Sequence, residues 1–315
     1  DFVPRAIDGA APLLVQMTYI PALLLGGEIA LTMWVGVSAL GAGLLLFVIS
    51  RRYLNFQWSM AILLVFLSMP VVVYAAGSGQ VEIRNALFVL AAVAFTNRSL
   101  VKKSLGYAFM AGFAGGFFAA TKYLGLFFVL ACGLTLLLRK GGIKKFLIYS
   151  SAVAIAGFQW YFWNWLHTGD PVFPALFNFI GDQNYSFWNN QHQENFEIYV
   201  RSELGVEVNF LAFLYYPILA TLKGVTEFDS LRAGMGPLPL LLAPFALAGI
   251  WKYRDKIWPS ELATYALIGG IFYALWFFSG SSQRIRHLLP ILPLVLICLS
   301  APAQKFVQNG PFRHP

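Results

Sequence analysis

Apolar residues in this chain come in long runs, and the few charges fall between them. The stretches 29–50, 57–76, 105–121, 123–138, 146–166, 237–250, 260–279 and 287–303 are almost free of ionised side chains, and a shorter run, 85–96, joins them. A helix that crosses a bilayer needs about 20 apolar residues. Several runs meet that length, and 85–96 meets it only by tilting or by borrowing its flanks. The pattern predicts an all-α fold, a polytopic transmembrane helix bundle with nine spans.

The charges between the runs give the bundle an orientation. Every second junction collects cations: Arg51 and Arg52, then Arg98, Lys102 and Lys103, then Arg139, Lys140, Lys144 and Lys145, then Lys252, Arg254, Lys256, Lys305 and Arg313. The opposite junctions receive Glu82, Asp170, Asp182, Glu194, Glu197, Glu203 and Glu207. Lysine and arginine mark the cytoplasmic side of a multispanning protein. Two shorter apolar segments, 12–25 and 209–222, hold prolines and are too short to cross comfortably. If 209–222 crossed, the cationic cluster at 251–256 would move outside, so both segments are expected as helices lying along the outer face. The organisation expected is a first outer loop with a juxtamembrane helix at 1–28, spans across 29–166, a long outer segment at 167–236, spans across 237–303 and a cytoplasmic tail at 304–315.

Composition agrees with a membrane protein. The chain has 315 residues, of which 58% are hydrophobic and only 11% charged, against roughly 25% charged in soluble domains; its mean hydropathy is +0.67. The net charge of +8 is mostly the cytoplasmic excess and gives no basic–aromatic patch, so nucleic acid is not an expected partner. Cys132 and Cys298 lie inside apolar runs, which suits core packing and not a disulfide framework or a thiolate metal site. No phosphate-binding glycine loop, zinc-protease helix motif or serine-hydrolase elbow is present. The outer segment is rich in Asn, Gln, Trp and Tyr, as in GDQNYSFWNNQHQENFEIY at 181–199. Aromatic faces with amide donors suit a sugar, and interfacial aromatic belts have a similar composition.

Candidate chemistry gathers at the outer span ends. Glu82 sits in GSGQVEIRNA, Lys122 in ATKYLGL where two apolar runs meet almost without a loop, and Arg284, Arg286 and His287 in SSQRIRHLLP. An ionised side chain at membrane depth costs about 2.5–3.5 kcal/mol, so Lys122 requires a counter-charge. Taken singly, each basic group could snorkel to headgroup phosphates. As a set facing away from the cytoplasmic cations, they point to a built anion site. Several cations beside a half-buried acid suit a phosphate leaving group with a carboxylate next to it.

These residues also carry a resemblance. SMPVVVYAAGSGQVEIRNALFVLAA, AGFAGGFFAATKYLGLFFVLA, HTGDPVFPALFN and SSQRIRHLLPILPLVLI, in that order, resemble the GT-C superfamily of integral-membrane glycosyltransferases. The likeness is nearest to the bacterial polyprenyl-phosphate-dependent branch, related to protein O-mannosyltransferases and lipid A aminoarabinose transferases. It covers the chain from about residue 12 and extends to YYPILATLKGVTEFDSLRAGMGPLPLLLAPFALAG, which resembles that branch's outer-face helix and following span.

The resemblance implies a GT-C-like bundle in the bacterial inner membrane and an inverting sugar transfer on its outer face. The donor would be a sugar linked to polyprenyl phosphate. Lys122 with Arg286 or Arg284 would lie near the lipid phosphate, with His287 standing where the family usually has Tyr. Glu82 matches an acidic position, as a supporting acid; the principal catalytic acid is expected upstream of residue 1, in a first outer loop of which Asp1 and Asp8 are the remaining acids. A divalent cation is one option as cofactor, although Glu82 alone offers too few ligands to bind one. The alternative is a non-catalytic GT-C relative that serves as a structural or assembly subunit beside other membrane proteins.

Overall fold

The computed structural model describes residues 10–138, 142–181, 188–223, 234–257, 260–280 and 282–309. Asp1, Asp8, Arg139, Lys140, residues 182–187 of the polar segment and the tail beyond 309 lie outside these. Among the described residues every regular element is a helix and no strand forms. The first half of the chain runs through α1 (Leu14–Met17), α2 (Tyr19–Ser50), α3 (Phe56–Ser68), α4 (Pro70–Gly77), α5 (Glu82–Lys102), α6 (Leu105–Ala119) and α7 (Leu124–Leu137). The second half runs through α8 (Gly142–Thr168), α9 (Phe177–Ile180), α10 (Asn190–Ser202), α11 (Phe210–Leu222), α12 (Leu238–Ile257), α13 (Glu261–Phe278), a 3-10 helix (Ile285–Ile291) and α14 (Leu292–Asn309).

Among the described residues three helices are long and apolar enough to cross a membrane: α2 with 32 residues, α13 with 18, and the 3-10 helix continued by α14 with 25. A fourth arises if α3 and α4, bent by 57°, are taken as one span. Nine crossings were expected, and other helices miss this mark of length and apolarity for local reasons. α6 and α7 hold 15 and 14 residues, about 22 Å of helix against a hydrocarbon core of about 30 Å. α5 carries Glu82, Arg84, Arg98 and Lys102, and α12 runs on into the cationic cluster at 252–256.

The breaks follow from local chemistry. Pro70 is the first residue of α4 and holds Met69 extended at ψ 134°, which separates α4 from α3. Asn55 caps α3 by accepting from the Trp58 N–H at 3.0 Å. Within α2 the backbone leaves the helix at Gly26 and Gly27, and Gly27 takes φ +61°, a conformation that a residue with a Cβ adopts only under strain. Residues 19–25 therefore form a separate piece from the long rod that follows, in the region where an outer juxtamembrane helix was expected. The other segment expected to lie along the outer face, 209–222, is helical as α11 and is capped by Asn209. The expected tail at 304–315 is helical as far as 309, where α14 ends.

Between apolar helices in lipid, close packing replaces the hydrophobic effect as the source of cohesion. α6 and α8 meet over small residues for that reason. A Cβ on Gly112 would lie 2.1 Å from the Tyr149 carbonyl oxygen, and one on Gly116 would lie 2.7 Å from the Ala156 Cβ. The core is one continuous apolar cluster that draws on α2 to α8, α11, α13 and α14. A second, small cluster folds the outer segment down: Phe173, Phe177 and Trp188 with Ala10, against Phe196.

Candidate functional site

The start of α5, the turn from α6 to α7 and the 3-10 helix converge at one end of the bundle. Glu82 is the first residue of α5, where an acid complements the helix dipole. Lys122 lies in the tight turn after α6: its N–H bonds the Phe118 carbonyl and its own carbonyl accepts from Gly125. The Lys122 ammonium donates to Glu82 Oε1 at 2.7 Å, with the lysine side chain 30% exposed and the glutamate 2%. The counter-charge that membrane depth requires of Lys122 is therefore Glu82.

Glu82 Oε2 is also buried and makes no hydrogen bond. One turn along the same helix face, Asn85 is fully buried and neither its amide nitrogen nor its oxygen has a partner. Buried polar atoms are nearly always paired. Two adjacent exceptions therefore lie on one face of α5, beside Lys122.

The remaining cations crowd the same place. Arg286 acts electrostatically on Glu82, and Lys122, Arg286 and Arg284 all act on the buried His287 ring. His287 Nδ1 lies 3.2 Å from the Ser282 carbonyl oxygen, so Nδ1 carries the proton. Arg284 forms an ion pair through Nη2 with Glu203 Oε1. The same carboxylate accepts from the Tyr199 hydroxyl at 2.7 Å and pushes that phenol above its ordinary pKa. Glu82, Lys122, Arg284, Arg286 and His287 are thus brought together, and two of the cations are already matched by acids.

Sequence reasoning did not single out Glu203, Gln283 or Asn85. Gln283 locks the outer segment to the entry of the 3-10 helix: its Oε1 accepts from Gly205 and Val206 N–H at 2.9 Å each, and its Nε2 donates to the Val206 carbonyl. It stands beside Arg284 in the quoted SSQRIRHLLP stretch, which was the available signal. Glu203 had none beyond its charge.

A polar network seats the outer segment next to Lys122. The Tyr123 hydroxyl lies 2.8 Å from the Phe173 carbonyl and 3.0 Å from that of Ala10, and Asn164 Nδ2 donates to the Ala10 carbonyl at 2.8 Å. Asp170 accepts from the N–H groups of Val172 and Leu176, both at 2.8 Å. Trp188, in the segment whose aromatic faces suit a sugar, is 6% exposed: its ring stacks on His192 and meets Phe173, Phe177 and Phe196 edge-on. Among the described residues no group of three His, Cys, Asp or Glu side chains could hold a metal ion.

Comparison with known proteins gives no match: no family model, no curated protein and no solved structure aligns with this chain. The functional reading therefore rests on the geometry above and on the motif resemblance.

Proposed function

We propose that this chain is a multispanning membrane glycosyltransferase that moves a sugar from a polyprenyl-phosphate donor to an acceptor on the outer face. The observation that carries the reading is the cluster at the start of α5, a buried carboxylate bonded to Lys122 within the field of Arg286. In the transfer, an acceptor hydroxyl oxygen attacks the anomeric carbon and the bond from that carbon to the phosphate oxygen breaks. The electron pair leaves with the polyprenyl phosphate, the hydroxyl proton passes to a carboxylate, and the anomeric configuration inverts. A leaving phosphate needs fixed positive charge where its own charge develops. Arg286 and Lys122 suit that role. Glu82 holds Lys122 in place through Oε1, while Oε2 and the Asn85 amide can orient a substrate hydroxyl. The carboxylate that takes the proton must come within about 2.6–3.2 Å of the hydroxyl. The nine-span topology and the bacterial inner-membrane location belong to the same proposal.

One observation favours the second reading, a non-catalytic GT-C-like subunit of a larger membrane complex. Lys122 and Arg284 are each neutralised by an acid, Glu82 and Glu203, as charges with a purely structural task would be. Binding of polyprenyl phosphate to the purified chain separates the two. The transferase reading expects retention of the phosphate over the neutral polyprenol, with about tenfold weakening in Arg286→Ala. Equal binding of phosphate and alcohol contradicts it.

A further inference from the structure

Arg84 follows Glu82 by two residues on α5 and therefore points to the opposite side of the helix. Its guanidinium donates from Nε and Nη2 to Ser38 Oγ at 2.9 and 2.7 Å, from Nη1 to Thr18 Oγ1 at 2.7 Å, and from Nη2 to the Trp34 carbonyl at 3.3 Å. It also stands over the Trp34 ring, 4.8 Å from the centroid. Every one of these partners is neutral. No carboxylate among the described residues pairs with Arg84, although a bare cation at the edge of a bilayer is expensive.

The guanidinium ends an apolar cavity of about 510 Å³ between α2, α5 and α6, lined by Val15, Val37, Gly41, Leu87, Phe88 and Phe117. That is within the usual size of a ligand site. Val37 belongs to a stripe of exposed apolar residues on α2, namely Met33, Val37, Leu40, Leu44 and Val48. In a membrane this stripe faces lipid, so the cavity opens sideways into the hydrocarbon and finishes at a cation beside a tryptophan. Trp at this position suits the headgroup level.

We propose that Arg84 and this groove bind an anionic glycerophospholipid, with its phosphate on the guanidinium and one acyl chain along the groove. Charge complementarity selects the occupant. Four of the five guanidinium N–H groups already donate to Ser38, Thr18 and Trp34, so a phosphate oxygen takes the remaining Nη1 N–H and competes only with neutral oxygens for the others. The guanidinium lies on the opposite face of α5 from the Glu82–Lys122 pair, with Tyr19 within electrostatic reach of both Arg84 and Glu82, so the groove is a second site beside the proposed donor site. It rests on membrane residence and not on the transferase reading. Because Thr18 shares the guanidinium, a bound lipid braces the junction of α1 and α2 against α5.

The test is native mass spectrometry of the purified full chain with added phosphatidylglycerol or phosphatidylcholine. The wild type is expected to retain phosphatidylglycerol about tenfold better, the worth of one charge-assisted contact, and Arg84→Gln to lose that preference. A Cβ on Gly41 would meet only Leu87 Cδ1, at 3.9 Å. Gly41→Leu therefore fills the groove while leaving Arg84 intact, and it too is expected to lose the lipid. This second variant decides the matter if Arg84→Gln fails to fold. Equal retention of both lipids by the wild type, or undiminished phosphatidylglycerol in Gly41→Leu, overturns the proposal. So does displacement of phosphatidylglycerol by an equal amount of polyprenyl phosphate, which would give the groove to the donor lipid.

Discussion

Breaking the Glu82–Lys122 pair from its two ends should have unequal effects. At 2.7 Å the gross attraction is about 6 kcal/mol for an effective dielectric constant near 20. Desolvation costs several kcal/mol per ion and cancels much of it. The consequence of removing one partner depends on what is left behind. Lys122→Ala leaves a carboxylate that is 2% exposed, and an orphaned buried charge costs about 3–5 kcal/mol. The field of Arg286 still acts on Glu82, so the expected loss is about 3 kcal/mol. Glu82→Gln leaves an ammonium that is 30% exposed. That group can turn to water, and the expected loss is about 1 kcal/mol. The double variant should be more stable than Lys122→Ala alone, with a coupling of about 2 kcal/mol. Denaturant titration in bicelles, followed by the fluorescence of the chain's 9 tryptophans, measures all four forms. Equal losses from the two single variants, or simple additivity in the double, would refute the argument.

Asp170 supports two further predictions. It is fully buried and satisfies two backbone N–H groups, so Asp170→Ala should cost about 2–4 kcal/mol and Asp170→Asn, which keeps one acceptor, about half as much; equal losses in thermal unfolding would contradict this. Burial pushes its carboxyl above the ordinary value, against the pull of the Leu176 and Val172 N–H groups. The native state then binds this proton more tightly than the unfolded chain, and the stability it contributes is complete below about pH 4 and is lost as pH rises through the raised value. Asp170→Asn should remove that slope from a plot of Tm against pH, and an unchanged slope would assign it to another group.

The helical class was legible because long apolar runs with charges at their ends leave few other folds. The break at Gly26–Gly27 falls between the segments expected at 12–25 and 29–50, whereas the one before Pro70 divides the run 57–76 that was read as continuous. The cost of a lone ammonium also demanded a counter-charge for Lys122. Glu82 was already grouped with Lys122 as the acid of that set, and helix packing across 40 residues makes the pairing direct. The Arg284–Glu203 pair spans 81 residues and was hidden for the reason that only folding brings its members together. Trp188 was not legible for a different one: composition cannot tell a ring that faces a ligand from one that is buried among its neighbours. Runs such as 105–121 and 123–138 read as spans in the sequence because apolarity alone does not show how many of their residues are helical, here 15 and 14.

The most direct test of the central claim is sugar transfer by the full-length gene product in proteoliposomes, supplied with polyprenyl-phosphate-linked sugars and a hydroxyl acceptor. The account predicts transfer with inversion at the anomeric carbon, and a loss of at least tenfold in kcat for Glu82→Gln, about 1.4 kcal/mol of transition-state stabilisation, with membrane insertion unchanged. No transfer by the wild type from any such donor would contradict the account and leave the non-catalytic subunit in its place.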